Sequence, residues 1–194
     1  MANVITIPNL VIIAIEQMYG IETSMPVANT ELKKPSDIIK YITKVDEAKI
    51  YEAIRNSAAS TTKLEELFRY CAGLTSLDLS SWTNISDQTS MKFMFHSCSS
   101  LQSIDFNNWD TSNITTMQGM FNSCSSLAKI WVPSTFVATQ ITTASYKPFY
   151  STSGNTGGTH VYTDATDAAT QGWGTIHSNY TMHYGATHAD FENA

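Results

Sequence analysis

Residues 91–109 read MKFMFHSCSSLQSIDFNNW, and this pattern occurs two and a half times between Leu67 and Pro133. One copy precedes it and a partial copy follows, and the second interval is one residue shorter than the first. The extra residue falls between a Trp and a Met, in a turn-rich segment that tolerates it. Self-similarity at a nearly fixed period of this length is typical of stacked repeats. The recurring core positions include Phe68, Phe95 and Phe121; Cys71, Cys98 and Cys124; and Leu74, Leu101 and Leu127.

Each repeat divides into two kinds of apolar pattern. Met91, Met94, Phe95 and Cys98 are spaced at i, i+3, i+4 and i+7, which predicts a short helix or helical turn. Residues 101–106 have the spacing L-x-x-L-x-L, which predicts a strand with one buried face. One such unit cannot bury its apolar side alone, so the sequence predicts an α/β solenoid with parallel strands about 4.8 Å apart.

The repeat resembles a known family. Residues 91–98, 101–105 and 109–112 together resemble the BspA-like leucine-rich repeats of bacterial surface proteins. This resemblance covers residues 67–133 directly. It implies a leucine-rich-repeat fold and a non-catalytic role in adhesion or display, and it names no ligand.

The sequence predicts four parts in the chain, and a shift in composition marks the boundary near residue 60. Residues 31–66 carry half of the Lys, Arg, Asp and Glu residues of the chain, with Pro35 and Asp46 at the starts of two predicted amphipathic helices. We therefore expect an N-terminal segment 1–30, a helical cap 31–66, repeats 67–133, and a C-terminal cap and tail 134–194. A solenoid needs ends with a polar face, which the two caps supply. In the last part we expect strands at 160–162 and 180–184, a helix at 164–173, and a loose tail from Ala186.

The N-terminal segment contains a predicted helix, residues 10–19, that is apolar nearly all round. Helices of this kind are buried, either in their own domain or against another chain. We therefore predict that it anchors the protein in an assembly, by self-association into a homo-oligomer, by docking on other virion or surface proteins, or both. The predicted anchor residues are Leu10, Ile12, Ile13, Ile15, Met18 and Tyr19.

Charge and hydropathy exclude several classes of protein. The net charge is −6, which disfavours a nucleic-acid-binding protein. The apolar run before Glu16 is short and no Lys or Arg precedes it, so we expect neither a secretory signal peptide nor membrane insertion. No nucleophile-elbow or phosphate-loop motif occurs, and we expect no enzymatic activity and no cofactor.

The predicted binding surface is the outer face of the repeat strands. In an L-x-x-L-x-L strand, the residues that flank the second Leu point away from the core. Trp131 is the only large aromatic residue among them and is the best candidate contact, because Trp is enriched in binding hot spots. The alternative is that Trp131 packs under the C-terminal cap. The candidate binding residues are Ser76, Asp78, Ser103, Asp105, Lys129 and Trp131.

Other side chains of types that bind metals or take part in catalysis have a simpler structural interpretation. The three Cys residues occupy one repeat position, so they are either a disulfide or metal site or, as we expect, a small-residue ladder in the core. His177, His183 and His188 lack the spacing of a metal motif. Asp78 and Asp105 are a possible acid/base pair or cation site, but we expect a solvated surface.

Two non-enzymatic functions remain. The first is a bacteriophage virion component of the head- or tail-fibre type, located in the virion, which displays the repeats to a host or environmental surface. The second is a fragment of an extracellular, cell-surface bacterial adhesin. In both cases the expected ligand is a surface protein or glycan.

Overall fold

A computed structural model describes residues 48, 63–79, 82, 85–150 and 158–194 of the chain. In these residues five strands form one parallel sheet in the order of the sequence. The strands are β1 (Ser76–Asp78), β2 (Ser103–Asp105), β3 (Lys129–Trp131), β4 (Thr159–Thr163) and β5 (Tyr180–Tyr184). A 3-10 helix, Ala144–Tyr146, lies between β3 and β4, and the helix α1, His188–Glu192, follows β5. No helix in these ranges is long and apolar enough to cross a bilayer.

The register of the sheet reproduces the spacing of the repeat. Leu77 pairs with Ile104, and Ile104 pairs with Ile130, so each residue meets its own equivalent in the next copy. The predicted parallel pairing is therefore confirmed. We call each repeat unit of the structure a layer: residues 64–79, 91–106 and 117–132.

Identical positions in successive layers stack in the core. Leu74, Leu101 and Leu127 are 0–2% exposed, which confirms the predicted leucine ladder. Phe68, Phe95 and Phe121 stack face to face, with ring centroids 5.5 and 6.0 Å apart and nearly parallel planes. The core is thus a set of columns that run across the layers.

The phenylalanine column continues beyond the recognisable repeat. The ring of Phe149 lies 6.2 Å from that of Phe121 at an angle of 5°. The backbone agrees, since the N–H of Met117 donates to the carbonyl of Tyr146. The segment around Phe149 therefore completes a further turn of the chain against the third layer, although its sequence lacks the repeat pattern.

The predicted helical turns are consecutive tight turns rather than helices. In residues 91–98, alternate N–H groups donate to the next layer: Phe93 to Gln118 at 2.9 Å and Phe95 to Met120 at 3.0 Å. The intervening N–H groups bond within the layer, as from Met94 to Met91. An α-helix directs all of these groups along its own axis. In this structure about half of these N–H groups bond to the neighbouring layer instead. The helix prediction is wrong for this reason.

This turn pattern has left-handed backbone at two equivalent positions in every layer; Tyr70, Ser97 and Ser123 occupy one of them, and Glu66, Phe93 and Gly119 occupy the other. Glu66, Phe93 and Gly119 have φ of 58°, 54° and 61°. Glycine adopts this conformation without steric cost, whereas residues with a Cβ are strained there. A Cβ at Gly119 would also collide with the ring of Phe93. The ring of Phe93, in the preceding layer, thus occupies the space that a side chain at position 119 would need.

Beyond the repeats, both predicted C-terminal strands are confirmed, as β4 and β5. The helix predicted for residues 164–173 is absent, and turns occupy this segment. Asp167 accepts hydrogen bonds from the backbone N–H and hydroxyl of Thr170, and the backbone bond is the main cause that lowers the pKa of Asp167. Gly172 and Gly174 have positive φ and bring the buried indole of Trp173 to the carbonyl of Phe136, 2.9 Å away.

Several predicted features lie outside the described residues. Among them are the anchor segment 1–30 and the helical cap 31–66, apart from residues 48 and 63–66. They stay predictions.

The three cysteines form the buried column that the sequence predicts. All are free thiols, 0–1% exposed. The thiols of Cys98 and Cys124 donate to the carbonyls of Phe68 and Phe95 in the preceding layer, at 3.0 Å. Burial raises the pKa of Cys71 and Cys124 to about 12 and raises that of Cys98 in the same direction.

The leucine column provides a test of the register. Replacing Leu101 by Ala removes buried methyl groups between two layers and should cost about 2–5 kcal/mol of unfolding free energy. Replacing Ser103 by Ala, two positions along on the outer face, should change it by less than about 0.5 kcal/mol. Urea titration measures both. Equal losses at the two positions would contradict the register.

The cysteine column predicts a particular response to pH. In the native protein none of the thiols should react with a disulfide reagent at pH 8, and 3 should react after denaturation. In the unfolded chain the thiols ionise near their ordinary value of 9.0, whereas native Cys71 and Cys124 keep their protons to about 12. The unfolded state thus loses protons first, and the free energy of unfolding falls as the pH rises through this window.

The control for this prediction is Cys98→Ala. It removes one thiol and leaves Tyr180, whose pKa is also raised by burial. Its loss of stability between pH 8 and pH 11 in urea melts should be smaller than that of the parent protein. An identical loss would show that the thiols are not responsible.

Candidate functional site: the outer face of the sheet

The parallel register arranges the outward-facing side chains of the sheet in two rows. One row runs across all five strands at the level of the first repeat position; its members are Ser76, Ser103, Lys129, His160 and Thr181. The other row lies two residues further along each strand; its members are Asp78, Asp105, Trp131, Tyr162 and His183. We call this surface the outer face. All six binding residues predicted from the sequence belong to it.

The predicted binding residues differ in exposure along the rows. Ser76 and Asp78 on β1 are exposed, and Ser103 and Asp105 on β2 are partly exposed. Trp131 on β3 is only 4% exposed. Of the two possibilities for Trp131, the structure shows the second: the side chain packs beneath the C-terminal cap. Trp131 is therefore not accessible to a ligand.

The element that covers Trp131 is α1, in the segment for which the sequence analysis expected a loose tail. That expectation is wrong. Thr187 caps the helix: its hydroxyl accepts from the N–H of Asp190, and the carboxylate of Asp190 accepts from the N–H of Thr187. The backbone hydrogen bond is the main cause that lowers the pKa of Asp190. Phe191 is 7% exposed and lies 6.4 Å from Trp131, and the ring of His188 lies 5.1 Å from the same indole.

Polar contacts also hold α1 to the sheet. Nε2 of His188 lies 2.7 Å from a carboxylate oxygen of Asp105, and Nδ1 lies 3.3 Å from Glu192. The other carboxylate oxygen of Asp105 accepts from the N–H of Asn107. Both oxygens of Asp105 therefore have partners. Asp105 thus links β2 to α1 through His188.

Lys129 forms the second polar link to α1. Its ammonium donates to the backbone oxygens of Phe191 at 2.8 Å and of Ala194 at 3.1 Å, and it lies 4.8 Å from the ring of Phe191. No side-chain carboxylate pairs with this ammonium among the described residues. Lys129 thus links β3 to the last turn of α1 and to the final residue, Ala194.

Sequence reasoning missed a ring cluster on β4 and β5. Nδ1 of His160 lies 2.8 Å from Nε2 of His183, and the ring of Tyr162 stacks on His183 at 4.4 Å and 7°. The two imidazole planes differ by 20° and their centroids lie 5.1 Å apart, so the rings meet nearly edge to edge. This geometry fits one N–H···N hydrogen bond, in which one ring donates and the other accepts.

The histidines grouped in the sequence analysis are separate in the structure. His183 belongs to the ring cluster, His188 contacts Asp105, and the N–H of His177 donates to Phe149. Within the ranges that the structure covers, no three His, Cys, Asp or Glu side chains come together as metal ligands. The signal that could have revealed His160 was its strand, which the sequence predicted without placing it beside β3.

A shallow cavity of about 420 Å³ lies over the middle of the outer face. It spans β2, β3 and β4 and reaches the end of the described chain. Its lining consists of Gln102, Ser103, Ala128, Lys129, His160, Tyr162 and Ala194. Two predicted binding residues, Ser103 and Lys129, therefore meet His160 and Tyr162 at one concave site.

Comparison with known proteins places the chain in a family. The family model described as "Mycoplasma protein of unknown function, DUF285" matches residues 40–155. The match covers more than half of the chain, and the protein belongs to the DUF285 family. It extends past the recognisable repeats to include Phe149, in agreement with the continued phenylalanine column. No curated protein and no solved structure matches the chain significantly.

The cover over Trp131 can be tested directly. Replacing Phe191 by Ala should loosen α1 and cost about 1–3 kcal/mol, because the ring is buried against the sheet. Trp131 should then become accessible to acrylamide, while Trp109 and Trp173, at 0% exposure, stay protected. The measurement is acrylamide quenching of tryptophan fluorescence.

The matched control is Glu192→Gln, on the same helix. It removes one exposed ion-pair partner of His188 and should change stability by less than about 0.5 kcal/mol. Quenching of the parent protein already at the level of a free indole, or no change in Phe191→Ala, would show that α1 does not cover Trp131.

Proposed function

We propose that this DUF285 protein is a non-enzymatic attachment protein that presents the outer face of its repeat domain to a surface ligand. The observation that carries this proposal is the alignment of outward-facing side chains in two rows across five paired strands. The opposite side of each strand is closed, because the central residues of β1 to β4 are at most 4% exposed. Polar, charged and aromatic side chains are thus concentrated together on one rigid face of the sheet.

The proposed fold is a short BspA-like leucine-rich-repeat solenoid. Support comes from the strand register, in which Leu77, Ile104 and Ile130 pair at the same intervals as the sequence repeat, and from the columns of Leu, Phe and Cys. Such folds bury a continuous core between units that contact only their neighbours. We propose further that the helical segment 31–66 and the residues after 133 close the two ends.

We propose two alternative locations for this domain. The first is a bacteriophage virion, in which residues 1–30 dock the protein, alone or as a homo-oligomer, and the repeats face outward. The second is a bacterial cell surface. The description of the DUF285 family names Mycoplasma proteins, and this favours a bacterial protein. Antibody labelling of purified particles and of intact cells distinguishes the two.

The absence of catalysis is part of the proposal. Asp105, the best candidate for an acid or base on the outer face, has both carboxylate oxygens engaged. The thiols are buried, with the pKa of each raised by desolvation, which suppresses the nucleophilic thiolate. Neither group is arranged for turnover.

The attachment function is tested with paired arginine substitutions. The variant Ser76→Arg with Ser103→Arg places two bulky cations on the outer face without touching the core. It should reduce binding of fluorescently labelled full-length protein to its target cells about tenfold or more, because interface contacts of this kind are each worth about 1 kcal/mol or more. Flow cytometry provides the measurement.

The control adds the same two charges elsewhere. Ser112→Arg with Ser125→Arg lies at exposed turn positions away from the outer face. This variant should attach as the parent does. If the outer-face variant attaches as well as the control, the outer face is not the attachment surface and the proposal fails.

A further inference from the structure

The C-terminal part of the sheet ends in β5, whose outer edge is open. β5 pairs on one side with β4, and no described residue pairs with its other side. The helix α1, which follows β5 in the chain, packs on β3 and β4. An exposed edge of this kind presents a row of backbone donors and acceptors to which another strand can add.

Alternate residues of β5 direct their backbone groups toward the open edge. The N–H of Thr159 donates to the carbonyl of Asn179 at 2.8 Å, so the odd-numbered residues of this segment bond toward β4. Successive residues of a strand direct their backbone groups to opposite sides. The N–H and C=O of Met182, the N–H of Tyr184 and the C=O of Tyr180 therefore face the open edge.

These edge groups are available for pairing with another chain. They make no hydrogen bond to any of the residues that the structure describes. Proteins commonly protect an edge strand with Lys, Pro, inward-pointing charges or a bulge. Residues 180–184 contain no Lys, Arg, Pro, Asp or Glu, and their register with β4 is continuous over the whole strand.

Apolar side chains at the end of the stack accompany the open edge. Ile176 and Met182 are partly buried against the hydrophobic core, and Tyr184 is 38% exposed. All three belong to the last turn of the chain that contributes a strand to the sheet. Repeat proteins bury such groups by adding another unit. The open edge and the apolar groups therefore form one surface, which we call the β5 end.

We propose that two copies of this chain associate through the β5 end, in an antiparallel strand pair with a two-fold axis at Met182. In this pairing the N–H and C=O of Met182 bond to those of Met182 in the second copy. The N–H of Tyr184 in each copy donates to the C=O of Tyr180 in the other. All of these residues direct their backbone groups outward, so they meet as hydrogen-bonded pairs. The inference does not depend on the proposed attachment function.

The residues of the β5 end favour a second copy as the occupant. Met182 lies opposite Met182 of the second copy, Tyr180 lies opposite Tyr184, and Thr181 lies opposite His183. Apolar and aromatic groups thus meet on the core side of the sheet, polar groups meet on the outer face, and no like charges are opposed. The net charge of −6 disfavours self-association through acidic surfaces, whereas β5 carries no carboxylate.

The symmetry of this pair determines how the outer faces are arranged. A two-fold axis that relates two antiparallel edge strands is perpendicular to the sheet, so both outer faces lie on the same side. Closed two-fold pairs of this kind are the commonest form of homo-oligomer. The dimer therefore presents two outer faces side by side in one continuous sheet, an arrangement that allows bivalent contact with a surface.

The test measures the self-association of the full-length protein by sedimentation velocity. The parent protein should form a species of twice the mass of one chain. Met182→Lys and Met182→Glu each place like charges opposite one another at the axis and should weaken dimerisation about tenfold or more. Met182 is only partly buried, so the longer charged side chains can extend to solvent without unfolding the protomer.

An equimolar mixture of the two variants tests the position of the axis. In a mixed pair the introduced ammonium lies opposite the introduced carboxylate, and the dimer should be restored. The matched control, Ser112→Lys, adds a cation at an exposed turn position and should sediment as the parent does. Thermal melts verify that each variant is folded.

Several outcomes overturn the inference. A parent protein that is monomeric shows that the β5 end does not bind a second copy. A parent oligomer that both Met182 variants leave unchanged assigns self-association to another surface, such as residues 1–30. Failure of the folded variants to form a dimer when mixed rejects pairing about Met182. None of these results bears on cell attachment by the outer face, which the arginine variants test separately.

Discussion

In-register pairing of parallel strands is the constraint on which the rest of the structure depends. Each strand must present its N–H and C=O groups to both neighbours at a fixed spacing, so equivalent residues of successive layers lie directly above one another. Phe68 therefore meets Phe95, and the thiol of Cys98 meets the carbonyl of Phe68. The Leu, Phe and Cys columns of the core follow from this alignment, because a residue at these positions packs against its equivalents in the neighbouring layers.

The same constraint shapes the segments opposite the strands. There, alternate N–H groups also cross to the next layer, which an α-helix does not allow. Five residues with a Cβ adopt left-handed backbone in these segments, at a cost of about 1–2 kcal/mol each; they are Glu66, Tyr70, Phe93, Ser97 and Ser123. The crossing hydrogen bonds offset this cost, and they satisfy backbone groups that would otherwise be buried without partners.

The sequence was sufficient to predict the structure wherever the repeat period continued. Spacing alone placed the leucine and cysteine columns, the three repeat strands and their outward residues. It did not distinguish a helix from tight turns in residues 91–98, because both bury residues at i, i+3 and i+4. It did not place β4 and β5 beside β3, since the intervals between their paired residues depart from the repeat period. His160 and Tyr162 were missed for this reason. The short helix α1 was missed because Thr187 and Asp190 form its capping box in a short polar stretch with a single buried residue, Phe191.

The link between His188 and Asp105 has a consequence for how such a protein can change length over evolution. Because each layer contacts mainly its neighbours, duplication of one repeat unit extends the sheet without redesign of the core. A unit inserted between β2 and β3 would, however, carry Asp105 one strand spacing away from α1 and divide the cavity between Ser103 and Lys129. A unit inserted before β2 leaves both intact. Addition of a repeat unit on the N-terminal side of β2 therefore preserves the contact between His188 and Asp105, whereas addition between β2 and β3 breaks it.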